Sequence, residues 1–420
     1  MSTPLASAVR PPMLIASAQW HRMQTKYLHA SCRSIRDAPP RFWALTVWPA
    51  SLSKVQSGFS RANVGRRCIH VPPILLPPVL FTGLFVSLWI WKCVMLVVFQ
   101  NNIIYMPGLP PNARSETIAA YGHLCGGVQW HEERISAIDG KALGMAIATT
   151  TVPGARGLTP ASDPKPAAVY VLYFQGNASS IPPRLPDLSR VLRIVSDSRG
   201  PIPRPLELTF VCLSYRGYWT SKGRPSEKGI RLDAEAGMQW IADRHRQKSG
   251  SCSGKPIVLL WGQSIGCGVA TNLAATGRLP VGVSIDGLLL ETPFLSVKAM
   301  LGVLYPQRWL PYKYLWPFLR NQLDSWTNIG QLAESSGQIG GASPSIFILE
   351  ADRDELVPKT HGEVLFQRCQ DLGISVEKGS APFAYHSEAI ARGEGRKIAA
   401  QAILSLTKRA LNQQGHSWRQ

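Results

Sequence analysis

The chain has 420 residues, 45% of them hydrophobic, which is enough for one large α/β domain with an extension and a substantial core. Its net charge of +19 would suit a nucleic-acid binder, but residues 1–72 hold ten Lys or Arg against a single acid, Asp37, and no RNA- or DNA-binding motif accompanies the rest, so nucleic acid is excluded as a partner. The eight cysteines include no C-x-x-C pair and most histidines are isolated, which argues against a disulfide framework and against a zinc site.

Residues 1–72 are basic, poor in acids and without sustained periodicity, so they are expected to be disordered. Residues 73–99 are almost wholly apolar, interrupted mainly by Lys92, and are long enough to cross a bilayer; a buried core helix is the alternative. Lys54, Arg61, Arg66 and Arg67 precede this segment and only Arg114 follows soon after. The positive-inside rule then puts the N-terminus in the cytosol and residues 100–420 on the lumenal or exterior side of an endomembrane. The acid-poor basic leader also fits a mitochondrial presequence, which would place the chain at a mitochondrial membrane instead.

Beyond the span, Glu133 to Thr151 reads as a hairpin turning at Asp139-Gly140. Strands are expected at Ala167 to Phe174, Leu208 to Tyr215, Pro256 to Trp261, Ile285 to Glu291 and Pro344 to Ala351, with a short one at Ile374 to Glu377. Helical patterns alternate with them at Lys228 to Arg246, Gly268 to Thr276, Lys359 to Asp371 and Ser387 to Lys408. The alternation predicts a mostly parallel, twisted sheet with helices on both faces. Residues 294–343 break it with a run of aromatics and prolines, read either as an insertion over a site that gives an apolar acyl chain somewhere to lie or as ordinary aromatic packing on the sheet. Within that stretch Gly330 to Ser343 reads as a flexible linker.

Gly262-Gln263-Ser264-Ile265-Gly266 follows one apolar strand pattern and opens a small-residue helical one. A serine on such a sharp turn is presented as a nucleophile, the glycines tolerating the crowded backbone. Its hydroxyl is a poor nucleophile at neutral pH unless an imidazole takes the proton and a carboxylate orients the imidazole. Asp354 lies just past the strand ending at Ala351, and His386 lies between the last strand and the last helix, in the order this chemistry needs. Asp352 and Glu355 compete for the acid role, and His361, within a helix, reads as a surface residue. Backbone N–H groups of Ile265 and Asn177 are the candidate donors to the oxygen of a tetrahedral intermediate. Tyr215-Arg216-Gly217-Tyr218 and Ser226 are given structural roles, Arg216 either pairing with a carboxylate such as Asp233 or Glu235 or standing exposed to solvent, and Ser226 capping a helix. No metal or organic cofactor is needed.

The order and spacing of Leu172-Tyr173-Phe174-Gln175-Gly176-Asn177-Ala178, Tyr215-Arg216-Gly217-Tyr218, Pro225-Ser226-Glu227, Gly262-Gln263-Ser264-Ile265-Gly266, Glu291-Thr292-Pro293-Phe294-Leu295-Ser296, Asp354-Glu355-Leu356-Val357-Pro358 and His386 resemble the α/β-hydrolase-domain proteins. The single-span, membrane-anchored members are the most similar. The resemblance implies the α/β-hydrolase fold, a Ser264, Asp354, His386 triad, and hydrolysis of an ester or thioester, as in lysophospholipid and monoacylglycerol lipases or protein depalmitoylases. Three positions depart from the pattern: Gln175 stands where a histidine is usual, Trp219 where a glycine is usual, and Ala384-Tyr385-His386-Ser387 carries the base. A non-catalytic binding protein or a membrane tether on the same scaffold is the competing expectation.

Overall fold

The computed structural model describes residues 72–154, 165–198, 202, 204–248, 252, 254–339 and 343–417. The leader read as disordered lies, apart from Pro72, outside the described residues. A short 3-10 turn, Pro73–Leu75, leads into helix α1, Leu76–Val98, whose Pro77 and Pro78 sit in the first turn, where no intrahelical N–H is lost. At 23 residues α1 is roughly 35 Å long, against about 30 Å of bilayer hydrocarbon, and none of its residues is buried, only Cys93 and Met95 to Val97 near its C-terminal end being partly covered. The helix is therefore long and apolar enough to cross a membrane, and the buried-core alternative does not hold.

Two short helices, α2 (Gln100–Tyr105) and α3 (Ile118–Gly122), precede the antiparallel pair β1 (His131–Ser136) and β2 (Ala142–Val152). Then come β3 (Ala167–Phe174), α4 (Leu185–Asp197), β4 (Leu206–Leu213), α5 (Glu227–Gln247), β5 (Ile257–Gln263), α6 (Ile265–Thr276), β6 (Gly287–Glu291), α7 (Val297–Leu304), a 3-10 segment Tyr312–Phe318, α8 (Ser325–Ile339), β7 (Ser345–Ala351), α9 (Lys359–Asp371), β8 (Val376–Ala381) and α10 (Gly393–Ser417). The sheet order is β1-β2-β4-β3-β5-β6-β7-β8, with β4, β3 and β5 to β8 all parallel.

Along each central strand the side chains alternate between two cores. In β5, Val258 and Leu260 face the core under α5, α6, α8 and α9, while Ile257, Leu259 and Trp261 face the core under α4 and α10. Burial on both faces is why these strands read as continuous apolar runs rather than alternating ones.

Two expectations need correction. Helix α4 has no counterpart in the sequence reading, because Pro182, Pro183 and Pro186 mask it; they occupy a 3-10 turn and the first helical turn, where proline is tolerated, and Leu185, Leu188, Val191, Leu192 and Val195 beyond them form a buried face at helical spacing. The stretch from Gly330, read as a flexible linker, is helical to Ile339: α8 packs on α6, burying Ile329 and Leu332, and Asn328 Nδ2 donates to Thr271 Oγ1 at 3.3 Å.

Candidate active site

Parallel strands bring the ends of β3, β5, β7 and β8 to one rim, so residues far apart in sequence meet there. Ser264 follows β5 with φ 51° and ψ −115°, a strained conformation for a side chain with a Cβ, and α6 begins at the next residue. Its N–H donates to the Glu291 carbonyl at 2.9 Å, which ties the turn to the end of β6. The flanking glycines are required by contact: a Cβ on Gly262 would lie 2.4 Å from the Gly266 carbonyl oxygen, and one on Gly266 would lie 2.1 Å from that of Phe174.

From this elbow a hydrogen-bonded run extends outward. His386 Nε2 lies 2.9 Å from Ser264 Oγ, and His386 Nδ1 lies 2.8 Å from Asp354 Oδ2. All three side chains are nearly excluded from solvent. The second oxygen of Asp354 accepts the N–H groups of Leu356 (2.9 Å) and Val357 (2.8 Å), so this carboxylate is held by the very turn that carries it. Its competitors are spent elsewhere: Asp352 is exposed and pairs with Lys359, whose hydrogen bond holds its carboxyl below the usual range. Glu355 accepts the His386 N–H at 3.0 Å and so fixes the loop that presents the imidazole. His361 is buried in α9, against the surface position expected of it, and makes no hydrogen bond to Ser264 or Asp354 among the described residues; burial lowers its basicity.

The two candidate oxyanion donors flank the serine. Ile265 is the first residue of α6, so its N–H has no helical acceptor. In the loop after β3 the Ala178 N–H is taken by the Tyr105 carbonyl at 3.0 Å and the Ser179 N–H by the Leu109 carbonyl. The Asn177 N–H has no partner among the described residues, and Asn177 is exposed at the rim.

No family model matches the chain. Alpha/beta hydrolase domain-containing protein WAV2 of Arabidopsis thaliana is 30% identical over 283 residues, which cover 65% of this chain and 77% of that one. The chain belongs to the α/β-hydrolase-domain family. Lysophosphatidylserine lipase ABHD12 of Danio rerio is 35% identical over 197 residues, 47% of this chain and 46% of the lipase. The crystal structure of an alpha-beta hydrolase from Vibrio vulnificus shares the fold, with a TM-score of 0.52 at 18% identity, over 73% of this chain and 92% of that one. The chain spans about half the length of several curated relatives that it matches.

In this α/β-hydrolase-domain chain, several groups that hold the rim were not found from sequence. Arg184 pairs with the fully buried Glu291 and also donates to the Ser387 carbonyl at 3.0 Å, beside His386. Burial opposes the Arg184 charge, yet the Glu291 carboxylate keeps the guanidinium more basic than usual. Trp261 Nε1 donates to the other Glu291 oxygen at 3.1 Å. The signal was a charged residue ending an apolar strand, since a buried carboxylate demands a partner. A second support comes from the segment that follows α1. Tyr105 is fully buried, its hydroxyl donates to Asn321 Oδ1 at 3.1 Å, and its carbonyl accepts from Tyr218 as well as from Ala178. Asn321 also accepts the Glu227 N–H at 2.8 Å and donates to Asn101 at 2.7 Å. Burial pushes the Tyr105, Tyr215 and Tyr218 hydroxyls far above their ordinary range, so they stay protonated as donors; that of Tyr215 reaches the Gln175 carbonyl at 2.9 Å.

Arg216 is buried rather than exposed, forking onto Asp233 and onto Asp139 in the β1–β2 turn, and Ser226 accepts the Gly229 N–H at 3.2 Å to cap α5. Cys267, beside the nucleophile candidate, is buried with its thiol pushed well above its ordinary pKa by desolvation, so it is not a competing nucleophile.

Proposed function

We propose that this chain is a membrane-anchored serine hydrolase that cleaves a carboxylic ester or thioester of a lipid-like acyl donor through an acyl-enzyme. The observation that carries the reading is the run Asp354–His386–Ser264, at 2.8 and 2.9 Å, on a strained strand-to-helix turn. In the first half-reaction Ser264 Oγ attacks the carbonyl carbon while its proton passes to His386 Nε2, and Asp354 stabilises the imidazolium through Nδ1. The carbonyl oxygen, now an anion, is met by the Ile265 and Asn177 N–H groups. Collapse breaks the bond to the leaving alcohol or thiol, which takes the proton from His386. In the second half water gives its proton to His386 and attacks the acyl-enzyme, releasing the acid and restoring Ser264.

A lipid acyl donor is favoured by the apolar helix α1 and by the relative named a lysophosphatidylserine lipase. The aromatic stretch within 294–343 is assigned as a lid, its root Thr292-Pro293 lying beside Asp354. The test is fatty-acid release by the purified full chain from lysophosphatidylserine, a monoacylglycerol and an S-acylated peptide. Wild type is expected to release acid from the lysophospholipid and the Ser264→Ala variant none. Equal release by the two from all three donors overturns the reading. The flanking charges favour a cytosolic N-terminus with the hydrolase domain lumenal or exterior. Digestion of that domain by protease added to sealed microsomes would reverse the orientation.

A further inference from the structure

The stretch from α7 to Leu319 leaves large apolar side chains in the open. Trp309 is 77% exposed and Phe318 60%, and Tyr314, Trp316 and Leu304 are exposed with them. A folded chain does not hold such a group of aromatics in water without a partner surface. Their position identifies the partner. Arg320 donates to the carbonyls of Val97 and Val98 at 3.1 Å each, capping the C-terminal end of α1; Gln100 Nε2 donates to the Phe318 carbonyl at 3.1 Å; and the Lys92 ammonium stands 5.2 Å from the centre of the Tyr312 ring. The exposed aromatics thus surround the point where the apolar helix leaves its own solvent.

The segments that build this end carry only positive charges, although Glu227 of α5, half-buried, accepts the N–H groups of Gln322 and Leu323. Residues 72–115 and 292–323, which build this end of the molecule, contain no aspartate or glutamate. Lys298 stacks on Trp316 at 3.7 Å and Lys313 on Tyr314 at 5.1 Å, so the cations are interleaved with the rings rather than paired with acids. Aromatic side chains with Lys and Arg at the end of an apolar helix are the composition of the headgroup boundary of a bilayer. A second copy of this face would bring cations against cations, whereas lipid phosphates complement them.

We infer that the stretch Leu304–Phe318 docks in the headgroup–acyl boundary of the leaflet from which α1 emerges, with Trp309, Trp316 and Phe318 as its anchors. The docking rests on the spanning reading of α1 and not on the hydrolase chemistry. If the hydrolase reading also stands, the consequence is that the lid root at Thr292-Pro293 is held at the leaflet surface, so that a single-chain lipid passes to Ser264 without crossing bulk water.

The experiment uses the full chain in phosphatidylcholine–phosphatidylserine nanodiscs, which leave both membrane faces open to a charged maleimide. Trp309→Cys and Phe318→Cys variants are compared with Val281→Cys, a fully exposed position on a turn before β6, the reactivity of the native cysteines being subtracted. Thermal unfolding matching wild type, and equal labelling of all three variants in urea, establish folding and reagent access. We expect Cys at 309 and 318 to react about tenfold more slowly than at 281, because a charged reagent is poorly soluble at that depth. Equal rates overturn the inference. So does protection that is seen only when two chains share a disc, which would assign the face to a second copy. A chain that fails to enter nanodiscs removes the spanning reading and the docking with it, while leaving fatty-acid release as a separate question.

Discussion

At the residue scale, the arrangement of carboxylates on the loop after β7 separates roles that the sequence left open. Asp354, Asp352 and Glu355 lie within four positions of one another, so spacing alone ranks them weakly. Side-chain partners rank them strongly: Asp354 meets His386 Nδ1, Glu355 meets the His386 backbone, and Asp352 meets Lys359 in solvent. We therefore expect Asp354→Asn to lower kcat by roughly 10⁴-fold, by favouring the wrong imidazole tautomer. Asp352→Asn, which removes only a surface pair, should leave kcat within about twofold. Steady-state kinetics on the same ester checks both, and a larger loss in the Asp352 variant would reassign the acid.

Among the elements, the strands were the most legible from sequence, and β3 and α9 were read to the residue. The reason is physical: parallel strands buried on both faces must be apolar throughout, and turns bound them. Prolines hid α4, and glycines and serines disguised α8, because the burial that makes each a helix comes from partners elsewhere in the chain. For the site, Ser264 was visible because its turn needs glycines at fixed offsets. Arg184 and Asn321 were not, since their contacts join residues about a hundred or more positions apart and leave no local pattern. These contacts carry predictions of their own. Arg184→Met leaves Glu291 charged and buried, which should cost about 3–5 kcal/mol in urea unfolding. The double variant Arg184→Met, Glu291→Leu should recover most of that loss, and an unrecovered loss would show that the pair is not the source of the stability.

On the scale of the whole molecule, the apolar helix and the rim of the sheet are joined through one polar cluster. Gln100, Asn101 and Tyr105 follow α1 directly, meet Asn321 beyond the lid stretch, and through the Tyr105 carbonyl hold the loop that carries Asn177. Asn321→Ala should thus cost about 1–3 kcal/mol by leaving buried polar groups unpaired. It should also lower kcat more than it raises KM, because the loop it steadies carries the proposed oxyanion donor Asn177. A change in stability with unaltered kcat would reduce the cluster to packing. The arrangement explains why a chain with so basic a composition is better understood from where its charges lie: the acid-free segments gather at the end of the apolar helix, and the paired charges lie around the sheet.

The most direct test of the central claim, that Ser264 is a nucleophile activated by His386, is covalent labelling with a fluorophosphonate, followed by mass spectrometry of the peptide containing residue 264. The account predicts stoichiometric modification of Ser264 in the wild type and none in Ser264→Ala. In a folded His386→Gln variant, labelling should slow by at least about 10³-fold, the scale on which loss of the base removes nucleophile activation. Folded wild-type protein that stays unlabelled, or a His386→Gln variant that labels at the wild-type rate, would contradict it.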